Sequence, residues 1–224
     1  EDAHIIARKD GKLPKLETLI ESFKRELSYG RLYDFEVEKL QARGEKVISE
    51  YYALKKDEIK NGYQVEVNFA KQSVMLGGAL LTGKIDKVIE GEEQCWTVVD
   101  LKTGKGFSDW DESGQSMYDE IKLHHYRYQL MMYKILVENS RDYHTHIVER
   151  GVLEFTEEVV NNKIQELSLS FDTKEMKEEL ERFKKLVVTV YTKISTLDFP
   201  DTSKYEESLD GIKEFEDDLI AGRI

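Results

Sequence analysis

The sequence predicts an α/β fold, a mixed central sheet flanked by helices, because the spacing of its apolar residues changes period along the chain. Over 16–27 and again over 32–54, apolar side chains recur every three or four positions, with Leu32, Phe35, Leu40, Val47, Ile48 and Tyr51 on one stripe, as on an amphipathic helix. From Tyr63 the period becomes two: Tyr63, Val65, Val67 and Phe69 alternate with Gln64, Glu66 and Asn68, the pattern of a half-buried strand. Hairpin-linked strands followed by a helical crossover require both antiparallel and parallel pairing, hence a mixed sheet.

The remaining elements follow in order. A second strand is expected over 80–89, a turn at Glu90-Gly91-Glu92, and a third strand over 94–102. The Gly-, Ser- and Asp-rich stretch 103–118 reads as a loop. A helix over 119–138, a strand over 145–155 and a long helix over 173–194 complete the order α, β, β, β, α, β, α. The only two prolines, Pro14 and Pro200, bracket this region, with no linker, repeat or low-complexity tract between them. Residues 1–224 are therefore expected to form a single domain, with a leading arm at 1–12 and an acidic tail at 201–224 that is helical near 212–219.

The charge balance narrows the function. With 33 Lys and Arg against 45 Asp and Glu, the net charge is −12 and the pI about 5.0. That argues against coating DNA through a basic surface, and it leaves open both an acidic site holding a divalent ion, which inverts the local charge, and an ordinary carboxylate-rich surface. Cys95 is the one cysteine, so an internal disulfide, a four-cysteine zinc site and an iron–sulfur cluster are excluded. No apolar run reaches the roughly 18 residues that span a bilayer, and no leader pattern opens the chain. The expectation is an intracellular, cytoplasmic protein with no membrane partner. Its first residue is Glu1 and not methionine, so a piece of something longer is one expectation.

The informative stretch is Gly83-Lys84-Ile85-Asp86, followed by Val98-Val99-Asp100-Leu101-Lys102-Thr103-Gly104-Lys105. On a strand, Asp100 and Lys102 share one face with Cα atoms roughly 6.5–7 Å apart. Asp86, on the preceding strand, can sit beside Asp100 if the register places both on that face. Two carboxylates and an ammonium at a strand end suit a hard ion such as Mg²⁺ or Mn²⁺, with Lys102 beside a water. On the next helix Gln129 and Tyr133, at i and i+4, project from one face. Read on spacing alone, Tyr133 is equally a core residue beside Leu130 and Leu136. Asp172-Thr173-Lys174 repeats the D-x-K pattern, but there Asp172 reads as a helix N-cap.

Together, Gly83–Asp86, Asp100–Lys105 and Gln129…Tyr133 resemble the RecB-like branch of the PD-(D/E)XK nuclease superfamily. Its motifs are G-x-[IV]-D, a D-x-K strand and Q-x-x-x-Y. The Gly44…Tyr51-Tyr52 helix and the Glu66 strand are similar to the lead-in of nuclease domains fused behind UvrD-like helicases. The resemblance implies a restriction-endonuclease-like core, here 62–155, with extra N-terminal helices. It implies Mg²⁺ or Mn²⁺ held by Asp86, Asp100 and the carbonyl of Leu101, with Lys102 at the attacking water and Gln129 and Tyr133 in the third motif. It further implies DNA as substrate, exonuclease more than endonuclease action, a helicase motor in the same parent chain, and a role in repair or recombination. Many members place a metal-binding histidine shortly after a glycine of the early helix. After Gly44 stand Glu45 and Glu50 instead, so the third ligand is Glu45, Glu50 or water. The alternative is a catalytically inactive nuclease fold that guides DNA or binds a protein partner.

Other patterns carry less. Gly78-x₄-Gly83-Lys84 lacks the Ser/Thr of a phosphate-binding loop. His144-x-His146 is expected on one strand face and His124-His125 at a helix start, both exposed. A local basic rim of Lys102, Lys105, His124, His125 and Arg127 stands as a candidate contact for DNA.

Overall fold

The computed structural model describes residues 13–61, 63–111 and 115–224. The expected leading arm at 1–12 lies outside the described residues. Each period change marks an element boundary. The helices are α1 (Leu16–Ser28), α2 (Asp34–Asn61), α3 (Met117–Glu138), α4 (Lys174–Ser195) and α5 (Leu209–Ile220). The strands are β1 (Gln64–Asn68), β2 (Val74–Leu76), β3 (Ala79–Leu81), β4 (Lys84–Glu90), β5 (Cys95–Lys102), β6 (Ile147–Val160) and β7 (Lys163–Ser170). Five strands form one sheet in the order β1-β4-β5-β6-β7, and β2 and β3 form a separate hairpin. All neighbours pair antiparallel except β5 and β6, which run parallel because α3 carries the chain between them.

The sheet is therefore mixed and flanked by helices, as its pattern predicts. Alternation along β5 sends Val98, Asp100 and Lys102 to one face and Val99 and Leu101 to the other. The first face meets α3, where Leu123, Leu130 and Leu136 are buried with Val98, Leu153 and Leu167 from the sheet. Each such side chain contributes roughly 1.5–3 kcal/mol by leaving water. The second face meets α2 through Lys87, whose Nζ lies 3.4 Å from the Tyr51 hydroxyl.

Four expectations need correction. The strand expected over 80–89 is two strands, since the chain breaks at Thr82-Gly83 and β3 pairs only with β2. A run of apolar residues does not report which partner each half selects. Strand β7 went unpredicted, although Asn161 and Asn162 take positive φ (50° and 60°), the conformation of a tight hairpin turn. The N-cap of α4 is Thr173, whose hydroxyl accepts from the Met176 N–H, not Asp172. His144 lies in a turn and His146 ahead of β6, where it packs on the Trp96 ring, so neither stands on a strand.

The expected tail is a docked helix. Leu209 and Leu219 of α5 are buried, and Glu216 accepts from Tyr128 on α3 (2.7 Å) and Arg182 on α4 (3.2 Å).

Candidate active site

The site lies where β4 begins and β5 ends, beside α3. The pairing of Lys87 with Val99, carried one residue further, sets Asp86 opposite Asp100. The Asp86 Oδ2 accepts a hydrogen bond from the Leu101 N–H at 2.9 Å, so the main chain of β5 holds this carboxylate in place. Gly83 starts the approach. A Cβ there would lie 2.6 Å from Leu136 Cδ1, so the bare backbone lets β4 and α3 come together close to Asp86.

Asp100 is only 2% exposed. Its Oδ1 accepts from Gln129 Nε2 and from the Tyr133 hydroxyl, both at 2.6 Å. Its Oδ2 lies 2.6 Å from Lys102 Nζ, which also donates to Gln129 Oε1 at 2.7 Å. Gln129 thus donates to the acid and accepts from the base. Burial pushes the Asp100 carboxyl above the usual carboxylate range, Lys102 and Tyr133 oppose that, and the Asp86 charge adds to it. Burial likewise raises the Tyr133 phenol, which keeps its proton for Asp100.

This donor set fits a hard divalent cation. Two carboxylates and a main-chain carbonyl are oxygen ligands of the kind Mg²⁺ and Mn²⁺ prefer. The Asp100 Oδ2 is buried, and Lys102 is the one cation paired with it among the described residues. Among the described residues no three His, Cys, Asp or Glu side chains gather as metal ligands.

The sequence-derived candidates Asp86, Asp100, Leu101, Lys102, Gln129 and Tyr133 all meet here. Glu45 and Glu50 do not line the cavity onto which Asp86 and Leu101 open. Glu45 is held by Lys24 and Gln41, each at 2.9 Å, and Glu50 lies 3.9 Å from Lys46. Glu66 of β1 does line that cavity. It has φ of 56° within a strand and pairs with Lys84.

The basic rim does not assemble. His124 is buried against Glu216 at 3.1 Å and Arg127 turns to Glu179, both away from Lys102. Instead, Tyr126 lies under Lys102, 4.6 Å from ammonium to ring centre, with Lys122 Nζ 5.6 Å from the same ring. The signal was present: 122, 126, 129 and 133 follow helical spacing on one face of α3.

A family model of the PD-(D/E)XK nuclease superfamily matches residues 3–206. The chain belongs to the PD-(D/E)XK nuclease superfamily. The five-stranded mixed sheet between helices is consistent with that membership. None of the curated proteins matches. Among solved structures, one described as "Crystal structure of SSO0001" aligns at 16% identity over 78% of this chain and 85% of that one, with a TM-score of 0.32. No helix among the described residues is long and apolar enough to cross a membrane.

Proposed function

We propose that this nuclease is a Mg²⁺- or Mn²⁺-dependent deoxyribonuclease of the RecB-like type, acting by hydrolysis of a phosphodiester. The observation that carries the reading is Asp100, buried opposite Asp86 and tied to Lys102, Gln129 and Tyr133 within 2.6 Å or through one amide. A buried carboxylate with a raised pKa beside a specific cation is the arrangement expected of a functional site.

Asp86, Asp100 and the carbonyl of Leu101 would hold the ion. When bound, it supplies a Lewis acid that stabilises the charge developing on the phosphate and lowers the pKa of a coordinated water. Lys102 reaches the same edge and holds the attacking water by donating to it. Water oxygen would then bond to phosphorus as the P–O3′ bond opposite it breaks, the water's proton being released to solvent and the departing 3′ oxygen taking one from solvent, to leave a 5′-phosphate and a 3′-hydroxyl. Gln129 fixes Lys102 through its oxygen and Asp100 through its amide, and Tyr133 donates to the same Asp100 oxygen. The Lys102 position over the Tyr126 ring limits its rotation.

The same reading extends to context: an exonuclease domain joined to a helicase motor, acting in repair or recombination inside the cell. The motif set that resembles RecB-like domains supports it. The test is cleavage of end-labelled single- and double-stranded DNA in Mn²⁺, Mg²⁺ and Ca²⁺. Cleavage in the first two supports the reading, and binding in Ca²⁺ without cleavage in any metal supports an inactive DNA guide.

A further inference from the structure

Helix α1 carries an apolar stripe that includes Leu19, Phe23 and Leu27, yet none of its residues is buried. It lies against α2 and over a cavity of about 670 Å³, with Phe23, Ile48, Tyr51, Tyr63, Asp86 and Leu101 in its walls. That volume falls inside the roughly 300–1,000 Å³ of small-ligand sites. The cavity lies on the α2 side of the sheet and shares Asp86 and Leu101 with the candidate active site.

The walls select the ligand. Aromatic rings from three segments line them, and Phe23 is locked by its neighbour: a Cβ on Gly44 would overlap its ring. The ionised groups are Glu26, Glu66 and Asp86 against Lys87, whose ammonium is already bound by Glu154 at 2.7 Å. Glu66 is itself paired with Lys84 and Glu26 with Arg25, so with Lys87 engaged the lining offers carboxylate oxygens that accept from amino groups and no available cation for a phosphate. A flat, uncharged, amine-bearing ring fits, and a phosphate does not.

We infer that this cavity receives the base of the nucleotide adjoining the scissile phosphate, turned out of its stack. The phosphate then rests at Asp86 and Asp100 while the base packs between α1 and the sheet. The inference rests on the nuclease reading for the position of the phosphate, and it names the substrate class: a single strand or a frayed end, since a paired base cannot enter. Base–aromatic stacking of this kind is worth about tenfold or more in affinity per base.

The test uses single-stranded oligonucleotides with 2-aminopurine at successive positions, bound in Ca²⁺ by the whole chain. Wild type is expected to change the fluorescence sharply at one position. Ile48→Phe, which fills the cavity, and Gly44→Ala, which displaces Phe23, should remove that positional effect. In Mn²⁺, an abasic site at the same position should raise KM about tenfold for wild type and leave the variants unchanged. A fluorescence response spread evenly over positions, or one that survives both variants, overturns the base pocket. Absence of cleavage with every metal would overturn the nuclease reading, and the fluorescence would still decide the cavity.

Discussion

The Tyr133 hydroxyl donates to Asp100 Oδ1 at 2.6 Å while Gln129 donates to the same oxygen. Two donors on one helix therefore clamp one oxygen of a buried strand carboxylate, and leave the other to Lys102. This explains a phenol and a carboxamide one helical turn apart better than core packing does. Tyr133 is buried, at 7% exposure, and yet spends its polar atom on the site.

Gln129→Glu replaces the donor facing Asp100 with an acceptor. Repulsion between the two carboxylates should displace Asp100 and reduce cleavage by about 100-fold, in line with the cost of a misplaced catalytic group. Gln129→Met, which removes both hydrogen bonds without adding charge, should lose less. Single-turnover rates of the two variants check the order, and equal rates would disprove the clamp.

Gly83→Ala should destabilise by about 1–3 kcal/mol through overpacking against Leu136. Because the fault is one methyl group meeting another side chain, Leu136→Val should recover part of the loss. Urea denaturation of the four members of the cycle measures the coupling. Strict additivity would mean that the glycine serves backbone flexibility instead.

Lys87 and Glu154 form an ion pair at 2.7 Å beneath the sheet, each 1% exposed, with Lys55 3.7 Å from Glu154. Removing one partner strands a charge, so Lys87→Met should cost about 3–5 kcal/mol. Lys87→Met with Glu154→Leu should recover much of that, because two apolar side chains replace two desolvated ions. Denaturation midpoints decide, and a double variant no better than the single would contradict the pairing.

The anchoring of α5 should be sensitive to acid. Burial pushes the Glu216 carboxyl up, but hydrogen bonds from His124, Tyr128 and Arg182 outweigh it and hold the group below the usual range. A depressed acid contributes stability that is fully present above its unfolded pKa, about 4.5, and is lost as pH falls through the lower folded value. Wild type should therefore lose Tm steeply below about pH 4.5, and Glu216→Gln should start lower and show a flatter slope. Parallel Tm–pH curves would exclude Glu216 as the anchor.

Much of the site was legible because its residues obey short-range periodicities. Asp100 and Lys102 are two apart on a strand, and Gln129 and Tyr133 four apart on a helix, so each pair shares a face whatever the tertiary context. The β4–β5 turn is short enough that Asp86 could fall opposite Asp100. What escaped depends on longer-range choices. Strand β3 left the sheet to pair with β2, although its apolar pattern continued into β4. His124 and Arg127 lie on the same helix as Gln129, but helical rotation turns them towards Glu216 and Glu179 rather than the site. Glu66, at positive φ within β1, lines the Asp86 cavity, which composition does not announce.

The most direct test of the central claim is the rate of Mn²⁺-dependent cleavage of a labelled single strand by Asp100→Asn. The amide keeps the shape of the buried side chain and still accepts from Gln129 and Tyr133, so the fold should hold, with Tm near that of wild type in the absence of metal. Cleavage should fall by about 1,000-fold or more, since one of the two carboxylates that hold the ion is gone, and added Mn²⁺ should no longer raise Tm. Wild-type cleavage by Asp100→Asn would contradict the account and leave the Asp100–Lys102 pair as a structural ion pair at the edge of the sheet.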